Sequence, residues 1–106
     1  MPRISTDIPC QTVITTFEVT PGTCADLLDL LRDALAEFIS KQPGFISAAL
    51  HVNDAQTRIA NYSQWERRED FLAILRTDEM RRRSREFNAL CKSFEPVMYS
   101  VEAHYD

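Results

Sequence analysis

The 106-residue chain carries a net charge of −4, with 44% hydrophobic and 26% charged residues. That length suits one domain and lets roughly 65% of the unfolded chain's surface be buried, enough for one modest core without metals or disulfides. The acidic balance argues against a general binder of nucleic acid or anionic membrane, and no apolar run approaches the roughly 20 residues of a membrane span.

Residues 1–9 hold Pro2 and Pro9 among polar residues and read as a loose arm, without the apolar run of a signal peptide. From Cys10 to Thr20 the chain is rich in β-branched residues. Val13, Thr15, Phe17 and Val19 alternate with Thr12, Ile14, Thr16 and Glu18, which predicts a strand. Pro21-Gly22 breaks it. Thr23 then reads as a helix N-cap with Asp26 three residues on, and Leu27, Leu28, Leu31, Ala34, Leu35, Phe38 and Ile39 make one apolar stripe at helical spacing.

After Pro43-Gly44 come two further strands, Phe45–Val52 and Arg58–Trp65. With a four-residue loop, Asp54–Thr57, Val52 opposes Ile59, Leu50 opposes Asn61, Ala48 opposes Ser63 and Ile46 opposes Trp65. This register collects the large apolar residues on one face. The other face holds Ser47, Ala49, His51, Ala60, Tyr62 and Gln64, joined by Phe17 or Tyr99. A helix is expected from Glu66 through Leu75. Thr77 caps another that runs to Lys92, with a stripe of Met80, Ser84, Phe87, Cys91 and Phe94 flanked by Arg83 and Leu90. Pro96 ends it, and Val97–Tyr105 is the last strand.

The order is β-α-β-β-α-β, an α+β, ferredoxin-like domain with a four-stranded antiparallel sheet covered by helices on one face. The uncovered face, partly apolar, predicts a homodimer formed through it. Cys10, Cys24 and Cys91 are odd in number and widely spaced, with no CxxC or Cys/His cluster. They read as reduced thiols in a cytoplasmic protein, and no metal site is expected.

Two residues break the bland pattern. Asn61 is an amide at a position that faces the helices, and Trp65, the only tryptophan, stands four residues on along the same face. Each has a plain structural reading: an amide bonded to a loop or helix end, and a core filler whose N–H finds a carbonyl. Together they describe a flat aromatic wall beside an amide, suited to a planar, oxygen-bearing ligand.

Pro43-Gly44-Phe45, His51 and the run Asn61-Tyr62-Ser63-Gln64-Trp65 followed by a helix resemble the antibiotic biosynthesis monooxygenase family, clearly over residues 42–75 and more weakly outside them. The resemblance is nearest to the cofactor-free anthrone oxygenases of aromatic polyketide pathways. It implies a dimeric α/β barrel that needs no cofactor and oxidises a small aromatic substrate with dioxygen. It also implies catalytic roles for Asn61, Trp65 and an arginine of the later helix. Spacing from Trp65 puts that arginine at Arg85, whereas the helical stripe favours Arg83. Leu50, Ser63, Phe71, Arg83 and Phe87 are the expected substrate contacts.

Leu50 and Phe71 stand where those relatives carry tyrosines, so a more apolar pocket and a different substrate are implied. Residues 66–86 hold seven arginines and six acids, which otherwise reads as a solvated face. His51 points to the uncovered face. The segment 66–92 has no histidine, which argues against the family's haem-degrading branch. Two other readings fit the same scaffold: a non-oxidative isomerase of a small oxygenated metabolite, and a dimeric ligand-binding module without turnover.

Overall fold

The computed structural model describes residues 10–105. The loose arm expected at residues 1–9 lies outside them. The elements are β1 (Gln11–Glu18), α1 (Pro21–Glu37), a 3-10 turn (Ile39–Lys41), β2 (Phe45–Val52), β3 (Arg58–Trp65), α2 (Arg68–Leu75), α3 (Asp78–Leu90) and β4 (Ser93–Tyr99). All pairings are antiparallel, in the order β2-β3-β1-β4. This is the ferredoxin-like arrangement that the element order predicts.

The β2–β3 hairpin carries the pattern on which the fold rests. Its loop is Asp54–Thr57, as the hydrophobic alternation requires, and the Asn53 side chain closes it. Asn53 Oδ1 accepts from the backbone N–H groups of Thr57 and Arg58, both at 2.9 Å. Val52 faces Ile59, Leu50 faces Asn61 and Ala48 faces Ser63. The fourth pair differs from expectation. A bulge between Phe45 and Ser47 lets Phe45, not Ile46, oppose Trp65. The extra residue reverses the alternation, so Ile46 is 44% exposed while Phe45 packs edge-on against Trp65 with ring centroids 5.3 Å apart.

The helices lie on one face of the sheet. In α1, Cys24, Leu27, Leu31 and Ala34 recur at helical spacing and are buried against it. Thr20, not Thr23, is the N-cap of α1, because Pro21 fits the first helical position, where an N–H would be unpaired anyway. Thr77 caps α3 as expected, its Oγ1 accepting from Met80 N–H at 3.1 Å.

The last strand also departs from expectation. The helix stops at Leu90, Cys91 is already extended, and Lys92 N–H donates to Glu18 C=O at 2.7 Å, so pairing begins before Pro96. Pro96 sits inside β4, tolerated because β4 is an edge strand and needs no donor on its outer side. Phe94, Pro96 and Met98 therefore oppose Phe17, Thr15 and Val13 on the helix-covered face, and Tyr99 falls on the other. Phe17 belongs to the core, stacked on Phe94 with centroids 5.2 Å apart.

The turn before β2 depends on Gly44. Its φ is +84°, and a Cβ there would collide with the Asp70 carboxylate. Gly44→Ala is expected to lower stability by about 2 kcal/mol or more, from left-handed backbone strain plus the collision. Gly22→Ala, where a Cβ would meet only Thr20 Oγ1 at 3.8 Å, is expected to be neutral or stabilising. Urea denaturation of both variants separates a backbone requirement from a general glycine effect.

Candidate functional site

Between the helices and the sheet lies a recess whose floor is β1, β3 and β4 and whose walls are α1, α2 and α3. Its floor includes Thr15, Phe17, Asn61, Ser63, Trp65, Phe94 and Pro96. Leu31, Leu35 and Ile39 wall one side, and Phe71, Ile74, Leu75, Met80, Ser84 and Phe87 the other. The recess holds a cavity of ≈ 60 Å³. Leu75, 37% exposed, stands at its rim.

The alternation of β3 explains the floor. Ile59, Asn61, Ser63 and Trp65 share one face, and β1 sets Phe17, Thr15 and Val13 opposite the first three. Aromatic groups close both ends. Phe17, Phe87 and Phe94 contact one another at one end, with centroids 5.2–6.3 Å apart. Trp65 and Phe71 meet at the other, 5.8 Å apart and tilted by 58°. Asn61 lies between. Its Oδ1 is buried and accepts no hydrogen bond from the described residues. Thr15 is its neighbour across the ladder.

Trp65 is 1% exposed, and its N–H is already engaged. Nε1 donates to Ser63 Oγ at 3.3 Å, and that hydroxyl donates to Val13 C=O at 3.3 Å. Ser63 thus fixes the tilt of the indole, leaving the ring surface as what Trp65 offers.

The structure brings together Asn61, Ser63, Trp65, Phe71 and Phe87 from the residues singled out in the sequence. It does not bring in the other three. Leu50, on edge strand β2, lines a separate open groove with Arg32, Leu35 and Phe45. Arg83 turns away to hold α3 to α1: Nε donates to Glu79 Oε2 at 2.6 Å and an Nη donates to Glu37 Oε2 at 3.1 Å. Partial burial lowers the pKa of Arg83, but the two carboxylates more than reverse this and leave it above its usual value. Arg85 is exposed and outside the lining, because Ser84, one position earlier, takes the inward place on α3.

Thr15 also lines the recess, though the sequence does not single it out. The available signal was a hydroxyl alternating with Val13 and Phe17 on a core-facing strand. Among the described residues no cluster of three or more His, Cys, Asp or Glu could hold a metal ion, and no helix is long and apolar enough to cross a membrane.

Residues 11–85 match the family model of the antibiotic biosynthesis monooxygenases. Tetracenomycin-F1 monooxygenase of Streptomyces glaucescens is 32% identical over 74 residues, which cover 70% of this chain and 66% of that protein, just under two thirds of the relative's length. Among solved structures, the cofactor-independent oxygenase SnoaB of Streptomyces nogalater superposes with a TM-score of 0.74 at 18% identity, covering 91% of this chain and 96% of that one. A monooxygenase of Streptomyces coelicolor in complex with nanaomycin D superposes with a TM-score of 0.73 at 24% identity, covering 92% and 91%.

Two measurements check this geometry. Ser63→Ala strands the buried indole N–H and is expected to cost about 1–3 kcal/mol while shifting the emission of the single tryptophan. An unchanged emission spectrum would mean that Ser63 does not hold the ring. In the Arg83 cluster, the hydrogen bond from Arg83 holds Glu79 below its usual pKa of 4.5. Its contribution to stability is therefore present above that pH and lost as pH falls through the lower folded value. Glu79→Gln should flatten the acid limb of a plot of denaturation midpoint against pH.

Proposed function

The chain belongs to the antibiotic biosynthesis monooxygenase family, and from that membership we propose that it oxidises a small aromatic, a phenol, quinol or anthrone-like compound, with dioxygen and without a cofactor. The observation that carries this reading is Asn61 Oδ1, buried and without a hydrogen-bond partner among the described residues, between two aromatic groups in a largely apolar recess.

Dioxygen is a triplet and reacts slowly with closed-shell molecules. An electron-rich enolate or phenolate can pass it one electron, so an ionised substrate supplies what a flavin or metal would otherwise supply. At an activated methylene the balance closes without an added reductant. One oxygen atom enters the carbon as a carbonyl, and the other leaves as water with the carbon's two hydrogens. The protein's share is to hold the ring dry against Trp65 and to place a hydrogen-bonding group at the oxygen where charge develops. Rotation of the Asn61 amide exchanges Oδ1 for Nδ2, so this side chain can donate to an enolate oxygen.

Size constrains the path in. A cavity of about 150 Å³ holds benzene, against ≈ 60 Å³ here. Entry of a ring therefore requires the walls to move apart, a movement that we assign to the short helix α2, which carries Phe71 and Leu75. Two similar proteins support the class of chemistry: one is the tetracenomycin-F1 monooxygenase, and the other is a monooxygenase in complex with nanaomycin D. We also assign the helix-free sheet face to a homodimer contact. Ile14, Ala49, Ala60, Tyr62 and Val97 are half-buried there, and Tyr99 is 48% exposed.

Oxygen uptake with a model anthrone tests the oxidation. The expected result is turnover by the wild type, with losses of about tenfold or more in Asn61→Ala and Trp65→Phe. Equal rates in all three proteins would remove the assignment, and product formed without uptake of labelled oxygen would indicate an isomerase. For the contact, Ala60→Arg is expected to sediment as a monomer where the wild type sediments as a dimer.

A further inference from the structure

The polar group that the recess offers is an acceptor. Asn61 Oδ1 is buried, accepts no hydrogen bond from the described residues, and belongs to a recess lined mostly by aromatic and aliphatic side chains. The other polar groups of the lining, Thr15, Ser63 and Ser84, are neutral hydroxyls.

The ionisable side chains on the surrounding elements are turned elsewhere. Glu37 of α1 and Glu79 of α3 hold Arg83 between them. On α1, Arg32 pairs with Asp29 at the surface. Arg67 pairs with Asp70 at the start of α2, and Arg82 lies between Glu79 and Glu86. Glu18, Arg58 and Glu95 alternate onto the far side of the sheet. An anion seated in the recess would lose its hydration without gaining a cation, which disfavours the charged form. A neutral O–H would instead satisfy an acceptor whose burial is otherwise uncompensated.

We infer that the recess takes up its aromatic in the protonated form, as a neutral phenol or enol whose O–H is accepted by Asn61 Oδ1, and that the phenolate is the poorer ligand. This rests on reading the recess as the substrate site, and it adds an order of events. Uptake precedes ionisation.

The probe is 4-nitrophenol, whose phenol and phenolate absorb at different wavelengths. It is titrated with the full chain at the pH where the free ligand is half ionised. The expected result is a shrinking phenolate band as protein is added, with proton uptake from solvent. Across a pH series, affinity should be flat below the ligand's pKa and fall with a limiting tenfold per pH unit above it. Asn61→Leu, checked for its fold by Trp65 emission, should bind the phenol about tenfold more weakly. A phenolate band that holds or grows would overturn the inference, as would affinity rising with pH or an absence of binding by the wild type. Because the titration needs no turnover, binding of the phenol together with no oxygen uptake would leave this inference standing while removing the proposed oxidation.

Discussion

The structure depends on the double pairing of β3. Arg58–Trp65 is bonded along one side to β1 and along the other to β2. A strand held on both sides cannot slip by one residue without turning its whole inward set outward. The large residues decide which set faces in. Ile59 and Trp65 are each worth roughly 1.5–3 kcal/mol when buried. Together they outweigh the roughly 1–3 kcal/mol that an unpaired buried amide costs. Asn61 is therefore carried onto the buried face by its neighbours, and the polar group stays where the fold alone would not put it.

The helices complete the recess by two kinds of force. Apolar stripes on α1 and α3 supply the walls, and charge on their outer flanks fixes how far apart those walls stand. Arg83 is the main tie, reaching Glu37 on α1 and Glu79 on its own helix from a position only 12% exposed. A guanidinium held by two carboxylates is part of the frame. The charges of this domain thus order its outside, while the recess presents ring faces, hydroxyls and one amide.

Much of this could be read from the chain because the decisive patterns are local. The period-two runs of β2 and β3 fix their lengths and the loop between them, and opposed apolar pairs fix the register from Val52 back to Ala48. The register beyond that point could not be read, because a bulge adds a residue without leaving a mark in the alternation. Phe45 and Ile46 are both large and apolar, so the pattern does not say which faces Trp65. The β4 boundary failed for a related reason. Pro96 signals a helix stop and also suits an edge strand, and only the sheet order decides between them. Arg83 and Arg85 show the limit of helical spacing. A long side chain on the flank of a stripe goes where its partners are, and the partner of Arg83 at Glu37 is 46 residues away. Asn61 and Trp65 were legible as a pair because both break the expected composition of one strand face. Thr15 was not, since a threonine is ordinary in a strand until its neighbour across the ladder is known to be an amide.

The arrangement also bears on selectivity. On the proposed function, a planar ligand lies with one end toward Trp65 and Phe71 and the other toward Phe17, Phe87 and Phe94. Aromatic contacts of this kind tolerate many rings, since they depend on area and tilt more than on substituents. The amide does not. It sits at one place along the length of the recess, fixed by the register of a central strand, and a ligand whose oxygen falls elsewhere would leave Oδ1 unpaired while burying its own polar atom. A site built to hydrogen-bond one oxygen discriminates far more strongly than a hydrophobic wall does, because the wrong ligand leaves buried groups unsatisfied. Phe71, a ring without a polar group in the wall of the recess, fits that division of labour. On that proposal the walls contribute contact area, and the protein reads the position of the oxygen along the ring system.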